Sequence, residues 1–168
     1  MALVLLFGTL TLSSCAQVQL AARPTAPDPE LPSCDGAQVV IDGRQLGGTG
    51  HGGYADPTVT CVSLSDSATA QQVLADALVT PTRNEVGSVC RVDGVPEEFE
   101  GIAQPGGGLY FEDCMADAPD FARWVLWHQD ATEAWSDSEQ DVRTLTVRPG
   151  DRVALVYSYD SVPTPPGA

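Results

Sequence analysis

The sequence predicts an α+β domain: a mixed β-sheet with one helix packed across it, held by two disulfides. Three observations carry this. Runs rich in β-branched residues recur between turn residues, a single segment has a helical apolar period, and four cysteines remain once Cys15 is set aside. At 168 residues the chain suits one domain with tails better than two domains.

The chain opens on a short apolar run ending in small residues before Cys15. This reads as a secretory signal over residues 1–14. Leu12-Ser13-Ser14-Cys15 resembles the bacterial lipobox, in which the cysteine is acylated and becomes the new N-terminus. Residues 15–33 carry Pro24, Pro27, Pro29 and Pro32 with no hydrophobic period and read as a semi-extended tether. The domain proper is expected over 34–159, with a disordered tail over 160–168.

Within the domain, Ala37 to Asp42 and Thr58 to Leu64 read as strands joined by a glycine-dense loop. Thr69-Ala70-Gln71-Gln72 fits a capping box, and Val73, Leu74, Ala77 and Leu78 place one apolar stripe on a helix that ends before Pro81. Ser88 to Asp93 reads as a third strand. Gly94 to Asp120 is an acidic excursion rich in Gly and Pro. Phe121 to Gln129 resumes as a strand, with Phe121, Arg123, Val125 and Trp127 on one face and Ala122, Trp124, Leu126 and His128 on the other. Arg143 to Val147 and Arg152 to Tyr159 read as a last hairpin about the turn Arg148-Pro149-Gly150-Asp151. A β-grasp is the compact arrangement of such a string.

Cys34, Cys61, Cys90 and Cys114 allow three pairings. Cys34 with Cys61 and Cys90 with Cys114 is the expected set, because each bond then closes one hairpin-sized stretch. Each would stabilise the fold by roughly 3 to 4 kcal/mol in the chain-entropy model. A zinc site is disfavoured: no Cys-x-x-Cys occurs, and His51 and His128 are both far from any cysteine in sequence.

Aspartate and glutamate number 23 against 8 basic residues, none of them lysine, for a formal charge of -15. Nucleic acid and anionic membrane surfaces repel such a chain. Membrane contact is therefore expected only through the lipid, at the outer face of the bacterial cell membrane. The apolar run Ala2 to Leu12 is too short to span a bilayer as a helix.

Four stretches together resemble a known family. They are Val39-Val40-Ile41-Asp42-Gly43 through Leu46-Gly47-Gly48, the Thr69 to Leu78 helix, Val89-Cys90-Arg91-Val92-Asp93-Gly94-Val95-Pro96, and Arg123-Trp124-Val125-Leu126-Trp127-His128 up to Trp135-Ser136. They look like exported bacterial domains of unknown function, a family similar to the C-terminal β-domain of transcobalamin and intrinsic factor. The family has an aromatic residue where Arg123 stands and a Trp near the place of Tyr157 and Tyr159. The resemblance implies a β-grasp-like fold, a corrinoid as ligand and no catalytic residues.

Trp124, Trp127 and Trp135, all the tryptophans of the chain, fall within twelve residues beside His128. Trp124, Trp127, His128 and Trp135 form the candidate ligand-binding set, the tryptophans being an aromatic wall if exposed, or ordinary core if buried. The glycines from Gly47 to Gly53 lack the Gly-Lys-Ser/Thr of a phosphate loop, and no calcium-loop spacing organises the acidic run from Glu97 to Asp141. Gly-x-Ser-x-Gly and His-Glu-x-x-His are absent, so no catalytic residue, metal ligand or cofactor is assigned. The leading expectation is a lipid-anchored extracytoplasmic binding module that captures a small molecule such as a corrinoid for a membrane transporter. The alternative is a protein-interaction module, either a surface adaptor or a protease inhibitor.

Overall fold

The computed structural model describes residues 34–47, 56–159 and 162–166, all within one unit, Leu31–Ala168. The signal, Cys15 and the tether lie outside the described residues, as do most of the glycine loop with His51 and residues 160, 161, 167 and 168.

The main sheet has five strands: β1 (Gly36–Asp42), β2 (Thr58–Ser63), β8 (Arg123–Gln129), β9 (Ser136–Asp137) and β11 (Arg152–Ser158). Their spatial order is β2-β1-β11-β8-β9. β1 and β11 run parallel, with Val39 opposite Val153, while β2, β8 and β9 join antiparallel. β11 is the central strand because Val153-Ala154-Leu155-Val156 is apolar without alternation, the pattern of a strand covered on both faces.

This placement corrects the expected terminal hairpin. The turn forms as read, with the Asp151 amide donating to the Arg148 carbonyl at 3.0 Å and Gly150 at a φ of 92°. Its flanks do not pair with each other. The Gly150 amide donates to the Gly36 carbonyl at 2.8 Å and the Gln38 amide to the Asp151 carbonyl at 3.1 Å, so the turn is fastened to β1. The incoming strand, β10 (Thr146–Val147), pairs instead with β3 (Ala68–Thr69).

The helical stripe folds as α2 (Ala70–Asp76), burying Ala70, Val73 and Leu74. Thr69 caps it, its hydroxyl accepting from the Gln72 amide at 3.2 Å, a contact of about 1 kcal/mol. The Gln72 side chain donates to Asp76 rather than closing the capping box. A second helix corrects the expectation of one: α1 (Arg44–Gly47) is a single turn started by Asp42, whose carboxylate accepts from the Arg44 amide at 3.2 Å and pairs with its guanidinium at 2.7 Å.

Two further hairpins occupy the segment between α2 and β8. β4 (Pro81–Arg83) pairs with β5 (Val89–Val92), and β6 (Gly101–Ala103) pairs with β7 (Leu109–Phe111), so the acidic excursion contains ordered strands. The Cys34–Cys61 bond ties the residues before β1 to β2, and Cys90–Cys114 ties β5 to the segment after β7, the pairings expected. The larger core joins one sheet face to α2: Val39, Ile41, Trp124, Leu126, Val153, Leu155 and Tyr157 meet Val73, Leu74 and Leu145. On the other face Val40, Val125, Trp127, Ala154 and Val156 form a smaller cluster. Phe121 departs from its expected face. The strand starts only at Arg123, after a turn in which the Ala122 amide donates to Pro119, and Phe121 packs against the larger core. Among the described residues no helix is long and apolar enough to cross a membrane.

Candidate functional site

β8 supplies most of the expected site residues, and its pleat divides them. Trp124 is 6% exposed on the α2 side, with its indole N–H donating to the Val95 carbonyl at 3.0 Å and its ring edge-on to Tyr157 at 5.4 Å. Trp127 is 7% exposed on the opposite face, and half-buried Trp135 packs against its cluster. The structure thus brings Trp127 and Trp135 together and separates both from Trp124 by the thickness of the sheet. His128 stands with its Nε2 3.2 Å from the Asp151 carboxylate, which is buried and also accepts from the Arg148 amide at 2.8 Å. That pair fastens the Arg148–Asp151 turn to the end of β8.

The outer edge of β8 carries a second feature. β9 covers only Trp127 and His128, and beyond it the Ser138 amide donates to the Leu126 carbonyl at 2.7 Å. A cleft of 520 Å³ opens alongside, lined by Arg123 to Leu126, by residues 86–89, by Asp117, Ala118 and Asp120, and by Asp137 to Val142. Its size falls among small-molecule sites. Five carboxylates line it, Asp117, Asp120, Asp137, Glu139 and Asp141; Arg123 stands 4.0 Å from Asp120, and Arg143 and Arg83 pair with Asp141.

These acids are not equivalent. Asp117 accepts from the Asn84 amide group at 2.9 Å and the Ser88 hydroxyl at 2.8 Å, and these bonds hold its carboxyl below the usual carboxylate range. Asp141 is held low chiefly by the fork of Arg143, at 2.6 Å, with Arg83 contributing at 3.5 Å. Asp137 and Glu139 are exposed. Asp117 is held low by neutral partners and so adds uncompensated charge, whereas Asp141 is neutralised by its guanidiniums; with Asp137 and Glu139, the excess of carboxylates favours a positively charged ligand.

At the base of the excursion Glu112 is 2% exposed, and its side chain lies beside Cys90 and Cys114. The two sulfurs are bonded to each other, so the group offers no thiolate to a metal. Glu112 instead accepts from the Cys114 amide and the Tyr110 hydroxyl, each at 2.7 Å, while its carbonyl accepts from Arg91. Burial, with Glu112 adding to it, pushes the Tyr110 phenol upward.

Sequence reasoning missed the cleft because its walls come from four stretches of chain, spread from residue 86 to residue 142. It also missed the exposed Leu109 and Phe111, although the alternation Leu109-Tyr110-Phe111 was a usable sign of a two-faced strand. Comparison with models of protein families, with curated proteins and with solved structures returns no match.

Proposed function

We propose that this chain is an extracytoplasmic binding module, tethered by a lipid on Cys15, that holds a small cationic molecule in the cleft beside β8 and passes it to a membrane transporter. The observation that carries the reading is the cleft itself: five carboxylates of which Asp117, Asp137 and Glu139 lie outside the ion pairs that Arg123, Arg143 and Arg83 make with Asp120 and Asp141, built on a strand anchored in the middle of the fold. A β-grasp scaffold fits this role. In its support, the first and last described strands of the domain lie parallel at the sheet centre, antiparallel strands flank them, and α2 crosses one face. Two disulfides suit an oxidising compartment. Binding is favoured over catalysis because the His128–Asp151 pair serves to hold a turn. The likeness to the transcobalamin β-domain makes a corrinoid the first ligand to compare with simple amines.

The test is calorimetric titration of the exported protein with a corrinoid, with spermidine and with an anionic control of similar size. Binding of a cationic ligand, weakened at least fivefold in Asp137→Asn/Glu139→Gln with no change in melting temperature, is the expected outcome. Absence of binding by both the corrinoid and spermidine, or binding indifferent to those substitutions, sinks the reading.

A further inference from the structure

The β6–β7 hairpin has two faces of different fate. Its inner face is locked: Ile102 is fully buried, Tyr110 meets Phe121 edge-on at 5.9 Å, and the Tyr110 hydroxyl donates to Glu112. The Tyr159 hydroxyl donates to the Ala103 carbonyl at 2.6 Å, and the Cys90–Cys114 bond closes the base. The outer face presents Leu109 and Phe111, 56% and 49% exposed. Both lie over Gly101, where a Cβ would stand 3.0 Å from Leu109 Cδ1 and 3.3 Å from Phe111 Cε1. The missing side chain is what lets them form one flat apolar surface.

Phe99 and Met115, also exposed, flank the hairpin in sequence. Half of the eight large apolar side chains that the described residues expose therefore fall between 99 and 115. An apolar face held this firmly is preorganised, so little ordering cost would oppose binding to it. Its surroundings are of one sign. Glu97, Glu98, Glu100 and Asp113 border the hairpin, and no basic residue stands between Arg91 and Arg123.

We propose that this face docks a basic amphipathic segment of a partner protein, with apolar residues covering Leu109 and Phe111 and Lys or Arg side chains meeting Glu97, Glu98 and Asp113. Charge decides among occupants. A second copy would bring like rims together in a chain of net charge -15, and an anionic bilayer would be repelled in the same way. The surface shares no residue with the cleft beside β8, so either site stands if the other fails.

The experiment uses fluorescence anisotropy with a labelled Leu/Lys peptide whose leucines follow an i, i+3, i+4 spacing, and a scrambled peptide of equal charge. Expected are binding that weakens at least tenfold from low to high salt, at least tenfold weaker binding of the scrambled peptide, and at least tenfold weaker binding by Leu109→Ser/Phe111→Ser at an unchanged melting temperature. Should that double variant fail to fold, Glu97→Gln/Glu98→Gln/Asp113→Asn serves in its place, with at least fivefold weaker binding and a shallower salt dependence. Equal binding of the scrambled peptide, or variants that bind like the parent, overturns the proposal. So does self-association, or attachment to zwitterionic vesicles, that depends on Leu109 and Phe111.

Discussion

The central strands and the excursion between β5 and β8 use the same kinds of residue to opposite ends. β8 places two tryptophans in succession on its two faces and hides both, because β11 beside it is apolar on both faces and each side of the sheet carries a packed cluster. The β6–β7 hairpin places Tyr110 inward and Leu109 and Phe111 outward, and only the inward residue finds a core. Aromatic content alone did not mark a binding surface. What separates the regions is how many faces of each strand the rest of the fold covers.

The largest test of that contrast is truncation. Trp124→Ala and Trp127→Ala are each expected to cost about 3 to 5 kcal/mol in denaturant unfolding, the usual range for a core aromatic. A cost below about 1 kcal/mol for either would mean that its face of the sheet is open and the contrast false.

Next comes the staple of the excursion. Cys90→Ser/Cys114→Ser should destabilise the domain by about 3 to 4 kcal/mol, with proteolysis entering first between residues 94 and 120. Cutting elsewhere would show that the inner face alone, through Ile102 and Tyr110, holds the hairpin.

The smallest effect is at alkaline pH. The phenols of Tyr110 and Tyr157 are both raised, chiefly by burial. A raised folded-state pKa means that the neutral form is favoured on folding. The contribution is complete below the unfolded value of about 10 and fades as pH climbs from there through the folded value. Melting temperature should therefore begin to fall above about pH 10. The Tyr157 hydroxyl is buried without a hydrogen-bond partner among the described residues, so Tyr157→Phe should blunt that fall and raise stability at neutral pH by up to about 1 kcal/mol. A Tyr157→Phe variant less stable than the parent at pH 7 would show that the hydroxyl is satisfied.

The strands β1, β2, β5, β8 and β11 and the helix α2 were legible because each carries its own period or β-branched run, and the cysteine spacing favoured the right bonds. The pairing of β11 was not legible as read. Arg148-Pro149-Gly150-Asp151 has the residues of a hairpin turn, and it is bonds to Gly36 and Gln38, more than a hundred residues earlier, that redirect its flanks. The β6–β7 hairpin was hidden because its three-residue strands sit among Gly, Pro and acidic residues, with stability coming from tertiary partners such as Phe121 and Tyr159. At the candidate site, the tryptophans were visible as a group, but which side of the sheet each faces matters more than their proximity in sequence. The cleft acids were individually indistinguishable from a solvated surface until two separated segments, 117–120 and 137–141, brought them together.

The position of β11 also governs the order of events in folding. A ribosome makes Arg152–Ser158 last among the described strands, yet it fills the middle of the sheet, between β1 and β8. Until it arrives, β1 and β8 have no partner in common and neither core can close. The nascent domain must stay open until β11 has been made, with its central pairing postponed to one late insertion across more than a hundred residues of chain, a long-range step of the kind that makes folding slow. A chain stopped short of Arg152 would retain every cysteine and both helices, yet its β1–β2 and β8–β9 pairs would have no strand to join them into one sheet.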